Sequence, residues 1–390
     1  MDMYNQIRNL AEKYSEYTIH IRRSIHQNPE LSMQEYKTAA LIRQELDSMG
    51  ISWRTIGETG VLGTLPATEP GGYTVALRAD IDALPVCEAT GLPFASKVEG
   101  VMHACGHDTH AAMLLGAAKI LSSMETRPNT TVFVFQPAEE FGIGAKLMLD
   151  GNALDGVDVI YGSHVWPDLP AGQIGLLSGP LMAGADKFLI RVLGKGGHGS
   201  QPERCHDPIP ACTAIADGIH QVKSLSLRGD TPLVLTVGYI KCGTAMNIIP
   251  DSGELGGTIR WFDRESQQIA RERIQKIAEY SCAMYDCRAE VEFTDICHCT
   301  ENDPACTEHA RKALSAMYGE DAVAASFPLA LGSEDFSYYG KKAPAVFGFI
   351  GCSNERQQSF PLHNPHFSPD EAAFERGSAL YAAFACGYQK

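Results

Sequence analysis

The segment Met102-His-Ala-Cys-Gly-His-Asp-Thr-His110 gathers histidines, a cysteine and an aspartate in nine residues. Cys105 and His107 stand two apart, so an extended backbone turns both side chains to one side. A thiolate and an imidazole suit zinc and related transition metals. The same residues also fit a buried cysteine and a helix-capping histidine, and the segment alone leaves both readings open. Further ligand types follow apolar runs that read as strands. Asp80 and Asp82 come after residues 73–77, and His164 comes after 157–161. Glu139 and Glu140 follow residues 131–135 by way of Gln136-Pro137. Sites in open α/β sheets gather outside the carboxyl ends of strands, so three such ends point to one crevice. Singly, each is an ordinary solvated strand end; with Cys105 and His107 they point to a metal centre. A metal hydrolase also needs a base beside the bound water that is not itself a ligand. Adjacent Glu139 and Glu140 can divide those two roles.

Positioning these groups calls for an α/β layer fold, and the N-terminal third does alternate helical and strand patterns. Ser32-Met-Gln-Glu35 reads as a capping box opening a helix that stops at Gly50. Residues 110–121 have the alanine- and leucine-rich look of a buried helix, 345–350 form another apolar run, and 370–386 a closing helix. The middle reads differently. Residues 187–193 are strand-like, and Asp207-Pro208 offers an N-cap followed by proline at the first helical position. Ile209, Cys212, Ile215, Ile219 and Val222 then form a helical stripe. Strands at 233–240 and 255–261 precede a second helical face of Ile269, Ile274, Ile277 and Ala278. Ala289, Val291 and Phe293 alternate with charged residues as in a half-exposed strand. The order β-α-β-β-α-β is that of a ferredoxin-like unit. An inserted domain over 184–297 follows, with residues 1–183 and 298–390 forming one discontinuous domain.

Composition narrows the function. A chain of 390 residues allows two or three domains, and 44% apolar with 20% charged residues excludes disordered and fibrous classes. The formal charge of −15 disfavours nucleic acid and anionic membrane as partners. The N-terminus has no basic and apolar leader pattern, and no stretch reaches the roughly 20 apolar residues of a membrane span. A cytoplasmic protein is expected, its twelve cysteines mostly reduced, buried hydrophobes.

A series of motifs carries a resemblance. Arg78-Ala-Asp-Ile-Asp-Ala-Leu-Pro85, His103-Ala-Cys-Gly-His-Asp108, Gln136-Pro-Ala-Glu-Glu140 and Gly196-Gly-His-Gly199 occur in that order. Met246-Asn-Ile-Ile-Pro250, Gly332-Ser-Glu-Asp-Phe336 and Leu362-His363 follow. The series closely resembles the di-metal amidohydrolases of the aminoacylase and carboxypeptidase superfamily. Its nearest branch holds hippurate hydrolases, N-acetyl-diaminopimelate deacetylases and plant indole-acetyl-amino-acid hydrolases. The match runs from about Arg22 to the C-terminal helix.

The resemblance implies a mixed-sheet catalytic domain with helices on both faces, holding two divalent ions (manganese, zinc, cobalt or nickel). It implies ligands at Cys105, His107, Glu140, His164 and His363, with Cys105 bridging, Glu139 as general base, and Asp82 orienting a ligand from behind. The inserted domain becomes a lid and dimerisation domain. His198 resembles the histidine that reaches a partner subunit's site and stabilises the oxyanion, while Asn247 and Arg260 resemble groups that bind the substrate carboxylate. A homodimer is implied, with a tetramer also open. Without the family, His363 and His198 read as loop residues and Arg260 as a strand residue in a salt bridge. Glu203 departs from the histidine many relatives carry. Cys205-His206 and Cys297-His298-Cys299 lie outside the motifs and read as incidental. His103 and His110 match no ligand position and take helix-start or packing roles.

The reaction expected is metal-dependent hydrolysis of an N-acyl-L-amino acid to a carboxylic acid and a free amino acid. Dipeptidase or aminopeptidase activity in the same site is one alternative. Others are a metal-free thiol hydrolase using Cys105 and His107, and a non-catalytic binding protein. The motifs specify neither the acyl group nor the amino acid.

Overall fold

The computed structural model describes residues 2–353 and 359–389. The chain divides into two compact units. Met1–Leu181, Thr300–Pro328 and Asp335–Lys390 form the first, and Met182–Cys299 with Leu329–Glu334 the second.

The first unit is built on a seven-stranded mixed sheet. Its order is Ser52–Ile56, Gly60–Leu65, Thr130–Gln136, Thr74–Asp80, Val159–Pro170, Ala345–Ser353 and Ile174–Gly175. The strands from Thr130–Gln136 to Ala345–Ser353 run parallel, and antiparallel strands flank them. Parallel strands are covered on both faces, which explains their unbroken apolar runs. Neighbouring residues of one strand show both layers. Tyr161 packs on Tyr381 and Phe384 of the helix Ala373–Gly387, with ring centroids 5.1 and 5.0 Å away. On the opposite face, a Cβ at Gly162 would meet Phe336 at 2.7 Å.

The helix His107–Ser122 is buried on nearly every side, as the apolar run from Ala111 to Ala118 requires. Gly116 lets it pack closely, since a Cβ there would come within 2.5 Å of the Thr18 and Ser378 hydroxyls. The helix after Ser32 spans Tyr36–Ser48, with no side-chain cap. The expected capping box does not form. Ser32 and Glu35 are buried and hydrogen-bond to Asp82, Thr59 and Ala138 instead, partners that a local cap would leave unsatisfied.

The second unit is a four-stranded antiparallel sheet in the order Leu233–Cys242, Ser252–Trp261, Gly184–Leu193 and Arg288–Cys297. Helices Pro208–Ser226 and Arg264–Met284 pack with it around one core, giving β-α-β-β-α-β connectivity. Each helix opens on an aspartate: Asp207 accepts from the Ile209 amide and Asp263 from the Ser266 amide. Ile209 itself stays exposed while Cys212, Ile215, Ile219 and Val222 are buried. Residues 329–334 join this unit through the Ala183 amide, which donates to the Ala330 and Gly332 carbonyls at 2.9 and 3.1 Å. Among the described residues, no helix is long and apolar enough to cross a membrane.

Candidate metal centre

Cys105 and His107 converge through a turn rather than an extended segment. Gly106 takes φ 90°, and His107 begins the helix His107–Ser122. A Cβ at Gly106 would lie 2.5 Å from Val165 Cγ2, so glycine meets both the conformational and the packing demand. His164 comes from within the strand Val159–Pro170, and Glu139 and Glu140 from the loop after Thr130–Gln136. Ala138, just before them, adopts φ 54°, and its amide is held by Glu35 at 3.0 Å. His363 sits at φ 66°, its amide donating to the Ala104 carbonyl at 2.8 Å. That bond draws a loop histidine to the cluster.

The resulting geometry is close-set. Cys105 Sγ lies 3.4 Å from His164 Nε2 and 3.3 Å from His363 Nε2. Glu140 Oε1 lies 3.6 Å from His363 Nε2 and 3.9 Å from His107 Nε2, and Glu139 Oε2 is 3.9 Å from the same His107 nitrogen. Two compact donor groups share the thiol: Cys105, His107 and His164 form one, and Cys105, Glu140 and His363 the other. His107 Nε2 and Glu140 Oε1 are buried and lack a hydrogen-bond partner. Buried polar atoms of that kind call for a partner, and the soft and borderline donors around them suit divalent transition metals.

Asp82 holds this arrangement from behind. Its Oδ1 takes His107 Nδ1 at 3.1 Å, while Oδ2 accepts from the Ser32 hydroxyl and the Glu140 amide at 2.6 and 3.1 Å. One carboxylate therefore orients an imidazole and the backbone of a second candidate ligand. Burial opposes its charge, yet the His107 hydrogen bond keeps Asp82 below the usual carboxylate range. Burial likewise works against charged His107, but Asp80 and Cys105 hold its pKa well above the ordinary value. Burial and then His110 keep His164 well below its ordinary value, hence neutral and able to donate a lone pair. Burial pushes the Cys105 thiol well up, so a thiolate there needs strong neighbouring positive charge.

Sequence reasoning missed the supporting layer. His110, read as a packing residue, bonds Asp80 through Nδ1 at 2.6 Å and accepts the Val165 amide on Nε2 at 2.8 Å. It thereby fixes the strand residue next to His164. Arg78 donates to Asp80, Gln136 and Asp335 at 2.7, 2.9 and 3.0 Å in a buried network. These residues lie inside the quoted motifs, and their presence beside the ligand types was the available signal.

The other candidates lie in the second unit. His198 and Asn247 are neighbours, since Ile248 pairs with His198 and the Gly199 amide donates to the Asn247 carbonyl at 2.9 Å. The Ser200 amide donates to His198 Nδ1 at 3.2 Å, which leaves the imidazole proton on the exposed Nε2. Arg260 is half-buried on the strand Ser252–Trp261 and donates to the Ser333 hydroxyl. Among the described residues, no donor group of three includes Cys205-His206 or Cys297-His298-Cys299.

Comparison with known proteins agrees in family. The chain is 40% identical over 392 residues to thermostable carboxypeptidase 2 of Saccharolobus solfataricus, covering 99% of this chain and 98% of that protein. It is 39% identical over 370 residues to N-acetylcysteine deacetylase of Bacillus subtilis, covering 94% and 95%. A crystal structure from Bacillus subtilis, described as a dinuclear metal binding peptidase of the M20 family, superposes with a TM-score of 0.86. It is 36% identical and covers 96% of this chain and 98% of that one. The model of peptidase family M20/M25/M40 matches residues 76–386. With the motifs, the mixed sheet and the donor cluster in agreement, the chain belongs to peptidase family M20/M25/M40.

Proposed function

We propose that the protein is a two-metal amidohydrolase that splits N-acyl-L-amino acids into a carboxylic acid and a free amino acid. The observation that carries the metal part is the sharing of Cys105 between two donor groups, with His107 and His164 on one side and Glu140 and His363 on the other. A thiolate common to both sets has the chemistry of a bridging ligand. Manganese, zinc, cobalt and nickel all accept this donor set. Two divalent ions bound there would polarise the amide carbonyl and lower the pKa of a shared water.

The chain's own residues supply the remainder. Glu139, beside the ligand cluster, takes the water's proton and delivers it to the leaving nitrogen. Asp82 holds His107 and the Glu140 backbone in register. In this reading His198 serves the site of a partner subunit, donating Nε2–H to the developing oxyanion, a role supported by the tautomer that Ser200 imposes. Arg260 and Asn247 receive the free carboxylate, for which a guanidinium fork is well shaped. The unit built on 182–299 acts in this reading as a lid and dimerisation domain. The strand Leu233–Cys242 ends its sheet, and an open edge of that kind suits pairing with a second copy. A cytoplasmic location goes with the thiol chemistry.

The relatives' names favour a second substrate class, since one is a carboxypeptidase and another an N-acyl deacetylase. A hydrolysis screen separates them: N-acetyl, benzoyl and indole-acetyl amino acids and dipeptides, each assayed with each of the four metals. N-acyl amino acids are expected to turn over fastest. Turnover of dipeptides alone transfers the site to peptidase chemistry. Activity that survives a chelator but not thiol alkylation points to Cys105 and His107 as a metal-free pair.

A further inference from the structure

A second group of thiols lies inside the core of the second unit. Cys212 and Cys282 are buried there, on helices Pro208–Ser226 and Arg264–Met284, and Cys242 and Cys287 pack against the same cluster. Cys212 and Cys242 belong to the same cluster, and their sulfurs approach one point. Gly253 pairs with Cys242 across the sheet, and a Cβ on it would lie 2.7 Å from Cys242 Sγ and 2.8 Å from Cys212 Sγ. Both sulfurs thus converge over a sheet position that has no side chain. The Cys242 thiol donates to the Ser252 carbonyl at 3.6 Å.

We propose that Cys212 and Cys242 form a peroxide-oxidisable pair that closes to a disulfide. The two sulfurs differ in a way that orders the steps. Cys242 is half-buried, whereas Cys212 is 1% exposed. Burial pushes the Cys212 thiol up to about 12, so it stays protonated. Burial also raises Cys242, so it is the greater exposure of Cys242 that makes it the sulfur peroxide reaches first.

Hydrogen peroxide supplies the two oxidising equivalents. The Cys242 thiolate attacks one peroxide oxygen, the O–O bond breaks, and the departing hydroxide takes up a proton as water. This leaves Cys242 as a sulfenic acid. The Cys212 sulfur then attacks the Cys242 sulfur, the S–O bond breaks, and the hydroxide leaves with the Cys212 proton as a second water. The sum is two thiols and one peroxide to one disulfide and two waters. The bond ties the helix Pro208–Ser226 to the end of the strand Leu233–Cys242. Gly243 follows at φ 76° and opens the loop that leads to Asn247. The oxidation chemistry is independent of what Asn247 and His198 bind.

The test treats the metal-loaded protein with hydrogen peroxide, alkylates remaining thiols, digests with trypsin and maps cysteines by mass spectrometry. The expected product joins residues 205–223 to 242–260, is two hydrogens lighter than the separate peptides, and disappears with reductant. Because the first peptide also contains Cys205, the link must persist in Cys205→Ser. It must vanish in Cys242→Ser and in both Cys212→Ser and Cys212→Ala, with circular dichroism showing each variant folded. A sulfenic acid on Cys242, trapped by a dione reagent, is expected to accumulate in the folded Cys212 variant. The proposal is overturned if the link survives loss of Cys212. It is equally overturned if Cys242 proceeds to sulfinic acid in the parent protein while Cys212 remains alkylatable.

Discussion

His107 enters the donor cluster with Nδ1 already committed to Asp82, so its remaining nitrogen is the one presented to an ion. The same carboxylate takes the Glu140 amide, and this coupling separates two kinds of loss. Asp82→Asn is expected to weaken metal affinity by about 10–100-fold, because it loosens two ligands together. Glu139→Gln is expected to retain two ions and lose about 10²–10⁴-fold in turnover, the usual worth of a general base. Metal analysis of the dialysed variants, set beside initial rates on an N-acyl amino acid, distinguishes them. Full turnover in Glu139→Gln would remove the base assignment. The ligand types beside Glu139 were legible because carboxylates and the His164 imidazole follow apolar runs, while Cys105 and His107 stand together ahead of a helix. His363 was legible only through the family resemblance, since a loop residue at φ 66° carries no periodic signal. Ser32 and Glu35 misled, because a capping pattern depends on local spacing whereas these side chains are held by distant partners.

At the scale of elements, the join between the Cys105 turn and the helix His107–Ser122 is closely constrained. Gly106→Ala is expected to place a side chain at φ 90° and against Val165, costing about 1–3 kcal/mol in backbone strain. Urea denaturation of the metal-free variant reads that loss. Metal affinity should fall with it, since Val165 follows His164 and is tied by its amide to His110. An unchanged denaturation midpoint would mean the turn relaxes freely. The parallel strands and the helices His107–Ser122 and Ala373–Gly387 were readable by composition, and the second unit's β-α-β-β-α-β order came through intact. The helices Met3–Lys13, Ser15–His26 and Pro304–Tyr318 were not identified. The turn itself was not readable, because Cys105 and His107 two apart fit an extended segment as well as a glycine bend.

Across the whole molecule, buried charge is paired rather than dispersed, and acid should expose that dependence. Glu88 takes His26, Thr90 and the Ser96 amide; burial works against its charge, yet these bonds hold its pKa down to about 2. A carboxyl depressed in the folded state contributes stability above its unfolded value of about 4.3 and loses it as pH falls toward the folded value. Glu88→Gln should therefore be less stable than the parent at neutral pH, with the gap narrowing as pH drops from about 4.3 to about 2. Thermal unfolding across that range tests the sign. The central claim is the proposed sharing of Cys105 between two divalent cations. The direct measurement strips the protein with a chelator, titrates back manganese or zinc, and follows bound metal and hydrolysis of an N-acyl amino acid in the same samples. Activity should be absent without metal and saturate at two ions per chain, with Cys105→Ala failing to reach that stoichiometry. Full activity in the stripped protein, or two ions retained without Cys105, would contradict it.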